Sequence, residues 1–343
     1  MTIENFNPND PATSGNNIFG LPFNNDNAAL IIIPVPWEAT VSYRTGTVQG
    51  PEKILQASMQ VDLFDLDYKD QWKKGISLLS IDKEIEKLSF QTRVKVEEIL
   101  DNLYEGEEID ETTLNDVNKA SQYLNQWVEN TCTEYINKGK KIALIGGDHS
   151  TPLGIIKALS KKYENFGILQ IDAHADLRKA YEGFTYSHAS IMYNVLEEIP
   201  RVEKLIQVGI RDYCDEEYYY IQQNPTRVKT FFDQNIKEDQ FNGKNWNNIT
   251  TDIIAELPDN IYVSFDIDGL RPHLCPNTGT PVPGGFELEE VFYLFKKIQE
   301  AGKNIIGFDL NETANDGSDE DTIDTITAAR IIYKLSNIVL AQS

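Results

Sequence analysis

The sequence predicts a single α/β domain in three layers, with helices on both faces of a mainly parallel β-sheet. Two observations carry this. Short apolar runs alternate with segments of helical period through the second half of the chain. Several of those runs end in acidic and imidazole side chains, which a parallel sheet would collect along one edge. The 343-residue length and the 41% hydrophobic share suit one large domain. No internal repeat, Pro/Ser-rich linker or composition break divides it.

Residues 1–27 are rich in Asn, Pro and Gly and read as an irregular arm ahead of one domain spanning 28–343. Residues 28–35 form the first apolar strand. A polar and aromatic loop follows, Pro36-Trp37-Glu38 to Gly46, a candidate wall of a binding site. Gly50-Pro51 opens a helix to about Ser58, with Pro well placed in the first turn. Residues 76–81 read as a second strand. Residues 83–115 are charged, with weak helical period at Val96, Ile99, Leu100 and Leu103 and an acidic surface turn at 105–111. Val117, Ala120, Tyr123, Leu124, Trp127, Val128 and Thr131 then recur at three and four, marking a helix. From there strands are expected at 142–145, 166–171, 205–209, 228–232, 261–265 and 304–308. Helices are expected at about 152–163, 188–198, 214–223, 248–256, 287–301 and 321–338.

Asp and Glu outnumber Lys and Arg by 54 to 31, giving a net charge of −23. Phosphate would be repelled, so nucleic acid is not an expected partner, whereas small cations would be attracted. A solvated acidic surface accounts for much of the charge. Cys132, Cys214 and Cys275 are widely spaced and form no CxxC motif, which fits a reducing compartment. The N-terminal residues lack the basic and apolar regions of a signal peptide, and the run at 28–33 is too short to span a membrane. The expectation is a soluble, cytoplasmic protein without a membrane partner.

The chemistry is concentrated at four strand ends. The run at 166–171 ends in Asp172-Ala-His174-Ala-Asp176, whose alternation puts three potential ligands on one side. The run at 142–145 ends in Gly146-Gly-Asp-His149-Ser. The run at 261–265 ends in Asp266-Ile-Asp268, and the run at 304–308 in Asp309-Leu-Asn-Glu312. Carboxylates with imidazole suit a hard or borderline divalent cation such as Mn²⁺. Two His and four Asp exceed one site, so a two-metal cluster sharing carboxylates fits better, with Glu312 across the cleft. Any one motif can arise as a solvated loop; four at successive strand ends is a stronger signal. The chain has four histidines. His188, in Ser187-His188-Ala-Ser, can reach over the cleft as a proton shuttle, or is simply a helix N-terminal residue. His273 reads as structural.

GGDHS, DAHAD followed by SHAS, SFDID and DLNE together resemble the ureohydrolase family: arginase, agmatinase and relatives. The resemblance covers about residues 28–338. It implies an arginase-like fold with a binuclear manganese centre in which His149, Asp172, His174, Asp176, Asp266 and Asp268 are the ligands. Asp172 and Asp266 match the bridging positions. His188 matches a histidine beside the metals, and Glu312 the carboxylate that holds a guanidinium. The implied reaction is hydrolysis of a guanidino C–N bond with release of urea, the proton moving to the leaving nitrogen through a metal-ligating Asp such as Asp176 or through His188. The segment Asp176 to Ala189, with residues 40–44 and Gln207 to Arg211, is most similar to the agmatinase branch, implying agmatine as substrate. Guanidine, guanidinobutyrate and arginine are the alternatives, with nickel the alternative metal. Trimers and hexamers are usual in similar enzymes. The chain departs from the family at Arg271-Pro272, where an Asp is usual. Arg271 is expected either to form an ion pair or to alter the accepted substrate tail. Trp37 and Tyr186 are expected either to narrow the pocket or to pack on the sheet edge.

Overall fold

The computed structural model describes residues 5–12 and 17–342. Eight strands form one sheet: β1 Leu30–Pro34, β2 Ile76–Leu78, β3 Lys141–Ile145, β4 Phe166–Ile171, β5 Val202–Val208, β6 Val228–Phe231, β7 Asn260–Asp266 and β8 Asn304–Asn311. Their spatial order is β2-β1-β3-β8-β7-β4-β5-β6, and every pairing is parallel. Parallel strands need crossover connections, and helices supply them: α1 Gly50–Ser58, α2 Lys83–Glu105, α3 Glu111–Asn137, α4 Leu153–Lys162, α5 Ile191–Glu198, α6 Asp215–Gln223, α7 Asp233–Phe241, α8 Trp246–Glu256 and α9 Leu288–Glu300, while α10 Ile323–Ala341 follows the last strand.

Alternation along the strands splits the interior into two cores. Ile32, Ile145, Leu169, Ile206, Val263 and Phe308 face one side, with apolar residues of α1, α8, α9 and α10. Ile31, Leu144, Ile168, Leu205 and Tyr262 face the other, with α3, α4 and α5. This is the three-layer arrangement expected from the sequence. Among the described residues no helix is long and apolar enough to cross a membrane.

Three differences from the sequence expectation matter. The charged stretch from 83 is a full helix, α2. Asp82 caps its N-terminus by accepting from the Glu84 and Ile85 amides, and Gly106 ends it with a left-handed φ of 76°. The α2–α3 hairpin buries Val96, Ile99, Leu100 and Val117 with Phe184, so it supports the 180–190 loop beside the site. Helix α7 was not expected because its apolar content is low; Ile236 is its main core contact. Strand β8 runs on to Asn311, so Asp309 lies inside the sheet rather than in a loop.

The irregular arm expected for residues 1–27 lies partly outside the described residues, at 1–4 and 13–16. Within the described part, a 3₁₀ turn at Ile18–Gly20 buries Ile18 and Phe19, and the Phe19 ring packs 4.9 Å from Tyr333 on α10.

Candidate metal centre and active site

The carboxyl ends of β3, β4, β7 and β8 are adjacent in the sheet, so the loops that follow them meet. Two glycines let them meet closely. A Cβ on Gly147 would sit 1.9 Å from the Trp37 carbonyl oxygen, and one on Gly146 would sit 1.9 Å from Asn311 Oδ1. The Asp148 amide donates to Trp37 O at 2.8 Å and the Glu312 amide to Gly147 O at 2.7 Å, which sews the three loops together.

His149, Asp172, Asp176, Asp266 and Asp268 are buried, and His174 is partly so. His149 Nδ1 lies 2.9 Å from Asp176 Oδ2, 3.1 Å from Asp172 Oδ2 and 3.4 Å from Asp266 Oδ2. None of these oxygens is aligned to accept a hydrogen bond from it. His174 Nδ1 lies 3.0 Å from Asp268 Oδ2 and 3.7 Å from Asp172 Oδ1. Two ligand-competent groups result, His149–Asp172–Asp266 and Asp172–His174–Asp268, and Asp172 belongs to both. Nitrogen and oxygen donors converging on common points without satisfying one another is the arrangement a cation completes.

The electrostatics agree. Burial, then the neighbouring Asp172, pushes the Asp176 carboxyl up to about 7. Burial, then Asp268 and Asp172, holds Asp266 well above the carboxylate range, and burial, then Asp266 and Asp148, does the same to Glu312. Burial opposes charge on His149 and His174, yet the facing carboxylates raise both well above an ordinary imidazole. Asp172, between the two imidazoles, is lowered against its burial. The cluster has more buried negative charge than the protein neutralises, and a divalent cation at this point would supply the missing opposite charge.

Asp176 and Glu312 both hold left-handed backbone conformations, with φ of 54° and 60°. Such strain in residues other than glycine concentrates at functional sites. Glu312 Oε1 accepts from the His149 amide at 2.8 Å, and Thr278 donates to the Glu312 carbonyl at 2.8 Å, so the side chain is fixed while Oε2 stays available.

A cavity of about 190 Å³ opens onto this cluster, with His149, His174, Asp176, Asp266 and Glu312 at its base. His188 and Ala189 form one wall, and burial, then His174, pushes the His188 imidazole down to about 4, so it is neutral at pH 7. The structure therefore brings together all six expected ligands with His188 and Glu312. It does not bring Trp37, Tyr186 or Arg271 to the cavity lining. The Trp37 ring is fully buried in the core on one sheet face. Tyr186 packs against that same core. Arg271 Nε pairs with Glu287 Oε1 at 3.4 Å.

Sequence reasoning missed the mouth of the cavity. Arg178 reaches it, with its Nε 3.8 Å from buried Glu217 and its guanidinium 4.8 Å over the Tyr181 ring. Asp212, Tyr213, Ser42 and Thr280 complete the rim. Asp212 is exposed and its carboxylate has no partner among the described residues. Arg211, the residue before it, donates to the carbonyls of Asp268, Leu270 and Val282 and so clamps the loop bearing Asp268. The position of Arg211 and Asp212 just beyond β5, next to β4, was the available signal.

Comparison with known proteins agrees with this reading of the fold and motifs. The model of the arginase family matches residues 28–336. The chain is 28% identical to an N(1)-aminopropylagmatine ureohydrolase of Synechocystis sp., covering 90% of this chain and 88% of the relative. It is 28% identical to an agmatinase of Pyrococcus horikoshii, covering 89% and 90%. Among solved structures, agmatine ureohydrolase of Thermoplasma volcanium superposes with a TM-score of 0.71 at 20% identity over 95% of each chain. Proclavaminate amidino hydrolase from Streptomyces clavuligerus superposes with a TM-score of 0.72 at 20% identity over 97% of this chain and 100% of the other. The matched span takes in all four strand-end motifs, and the chain belongs to the arginase family.

Proposed function

We propose that this hydrolase of linear amidine C–N bonds acts on agmatine, releasing putrescine and urea, with two Mn²⁺ ions held by His149, Asp172, His174, Asp176, Asp266 and Asp268. The observation that carries the reading is one small cavity with Glu312 and the acid–imidazole cluster at its base and an unpaired carboxylate, Asp212, at its mouth. A cationic group at each end of a short chain matches that distribution of charge. The relatives named agmatinase and aminopropylagmatine ureohydrolase support the same substrate class. At about 190 Å³ the cavity falls below the roughly 300–1,000 Å³ of pockets for drug-sized ligands, in keeping with a small substrate.

When bound, two such cations supply a water of lowered pKa and hence a hydroxide nucleophile near neutral pH. The chain's own residues do the rest. Glu312 pairs with the planar guanidinium through Oε2, orienting the carbon toward the cluster, while its Oε1 stays anchored on the His149 amide. Asp176, a carboxylate at the base of the cavity, is placed to take a proton from the attacking oxygen and deliver it to the leaving nitrogen. His188, in the cleft wall, is placed to relay to solvent the proton released when the nucleophilic water ionises. Asp212 holds the far amine, with the Tyr213 ring beside it. The test is urea release from purified Mn²⁺-loaded protein supplied with agmatine. Release from agmatine supports the reading, and its absence across all guanidino compounds would remove it.

A further inference from the structure

A row of polar side chains crosses five strands one step below the metal-ligating edge. Asp309 on β8 is in register with Ser264 on β7, and Ser264 with Gln170 on β4. Gln170 pairs in turn with Gln207 on β5, and Gln207 with Thr230 on β6. Asp309, Ser264, Gln170 and Gln207 are fully buried. Central parallel strands are ordinarily apolar throughout, because both faces are covered. Five polar residues in one register row therefore need an account.

The hydrogen bonds divide the row in two. On the β7–β8 side, Ser264 Oγ lies 2.9 Å from His149 Nε2 and donates to Asp309 Oδ1 at 3.1 Å. On the other side the bonds run in one direction. Thr230 Oγ1 donates to Gln207 Oε1 at 2.7 Å. Gln207 Nε2 donates to Gln170 Oε1 at 2.8 Å and to the Ala175 carbonyl at 2.7 Å. Gln170 Nε2 donates to Asp172 Oδ2 at 2.8 Å and to the His174 carbonyl at 3.3 Å.

This polarity is forced by the partners. The Ala175 and His174 carbonyls only accept, and a carboxylate only accepts. Flipping either amide would set oxygen against oxygen in a buried site. Asp172 Oδ1 is separately fixed by the His174 amide at 2.6 Å. Both oxygens of the one carboxylate common to the two ligand groups are thus oriented by donors that add no charge. A neutral amide can hold Asp172 without competing with a dication for it.

We propose that Gln170, Gln207 and Thr230 are positioning residues for metal binding, a directional amide chain that aims Asp172 Oδ2 from the sheet edge inward. The proposal rests on the two-metal reading of the site. Thr230 is half-buried at the far end and two residues removed from the carboxylate, so it probes the chain without disturbing the site.

The test is Mn²⁺ affinity by calorimetric titration of metal-free protein, with the exchange-coupled Mn²⁺ pair signal as a spectroscopic readout. Q170M should weaken binding about 10- to 100-fold, the usual range for loss of a group that orients a ligand, and weaken the coupled signal. T230V should weaken it by a smaller factor, about 3-fold, and T230S, which keeps the hydroxyl, should restore wild-type affinity. Should Q170M fail to fold, the T230V and T230S pair still decides. Wild-type affinity in T230V, or equal loss in T230V and T230S, overturns the proposal. A wild-type protein that binds no Mn²⁺ removes the two-metal reading and this proposal with it. Intact wild-type binding with unmoved variants removes the amide chain alone.

Discussion

Replacing Glu312 with Gln isolates the guanidinium-holding role with little change in shape. Glu312 is 6% exposed and its Oε1 accepts from the His149 amide. Gln can keep that bond through its own Oε1, so the loop bearing His149 should hold its position. What changes is the other side: Oε2, an anionic acceptor facing the cavity, becomes an NH₂ aimed at a substrate NH₂. A hydrogen bond to a charged group is worth about 1.5–3 kcal/mol, and a donor opposed to a donor in a buried site adds to the loss. The sum is about 3–4 kcal/mol, or two to three decades in kcat/KM at about 1.4 kcal/mol per decade. Metal-free E312Q should be no less stable than wild type, because the substitution removes one of the mutually repelling buried carboxyls beside Asp266 and Asp148. The assay is initial-rate urea release with agmatine, paired with Mn²⁺ titration and thermal unfolding of the metal-free protein. A kcat/KM within about threefold of wild type, with metal content unchanged, would refute the reasoning.

Further outcomes follow from other parts of the site. D212N should raise KM for agmatine about 3- to 10-fold while leaving guanidine, which has no tail, unaffected; equal effects on both would remove Asp212 from tail recognition. H188N should leave Mn²⁺ stoichiometry intact and lower kcat about 100-fold, and an unchanged kcat would end its proton role. The metal-free and metal-loaded proteins should respond oppositely to pH. Asp176 near 7, with His149, His174, Asp266 and Glu312 raised, means the metal-free fold binds more protons than the unfolded chain between about pH 6.5 and 8. Its stability should therefore fall as pH rises through that window, whereas the loaded protein, whose ligands must be deprotonated, should gain Tm. Parallel pH trends in thermal unfolding would contradict the cation-completed cluster.

The sequence disclosed most of the architecture because the apolar runs of a parallel sheet are nearly continuous. Leu30–Pro34 and Phe166–Ile171 are buried at every position, and their boundaries were close to those expected. Helix α2 was less legible, since a long helix packed on one narrow stripe shows its period only through Ile85, Val96, Ile99 and Leu100 among many charges. The ligand set was legible because its residues sit in short motifs at strand ends. The cavity walls were not. Trp37 in an entrance loop reads as a pocket residue, yet its ring turns into the core while its backbone carbonyl holds Asp148. Arg178 and Asp212, which do reach the cavity, lie 34 residues apart in loops that meet through sheet order alone. Gln170 and Gln207 were visible as polar residues inside apolar runs, but their alignment needs the strand register.

The most direct test of the account is urea release from agmatine, guanidine, arginine, guanidinobutyrate and guanidinopropionate by protein loaded separately with Mn²⁺ and with Ni²⁺. The account predicts that agmatine with Mn²⁺ gives the highest kcat/KM, and that the preference over guanidine shrinks in D212N. A preference for guanidine or a guanidino acid, or turnover only with Ni²⁺, would contradict it.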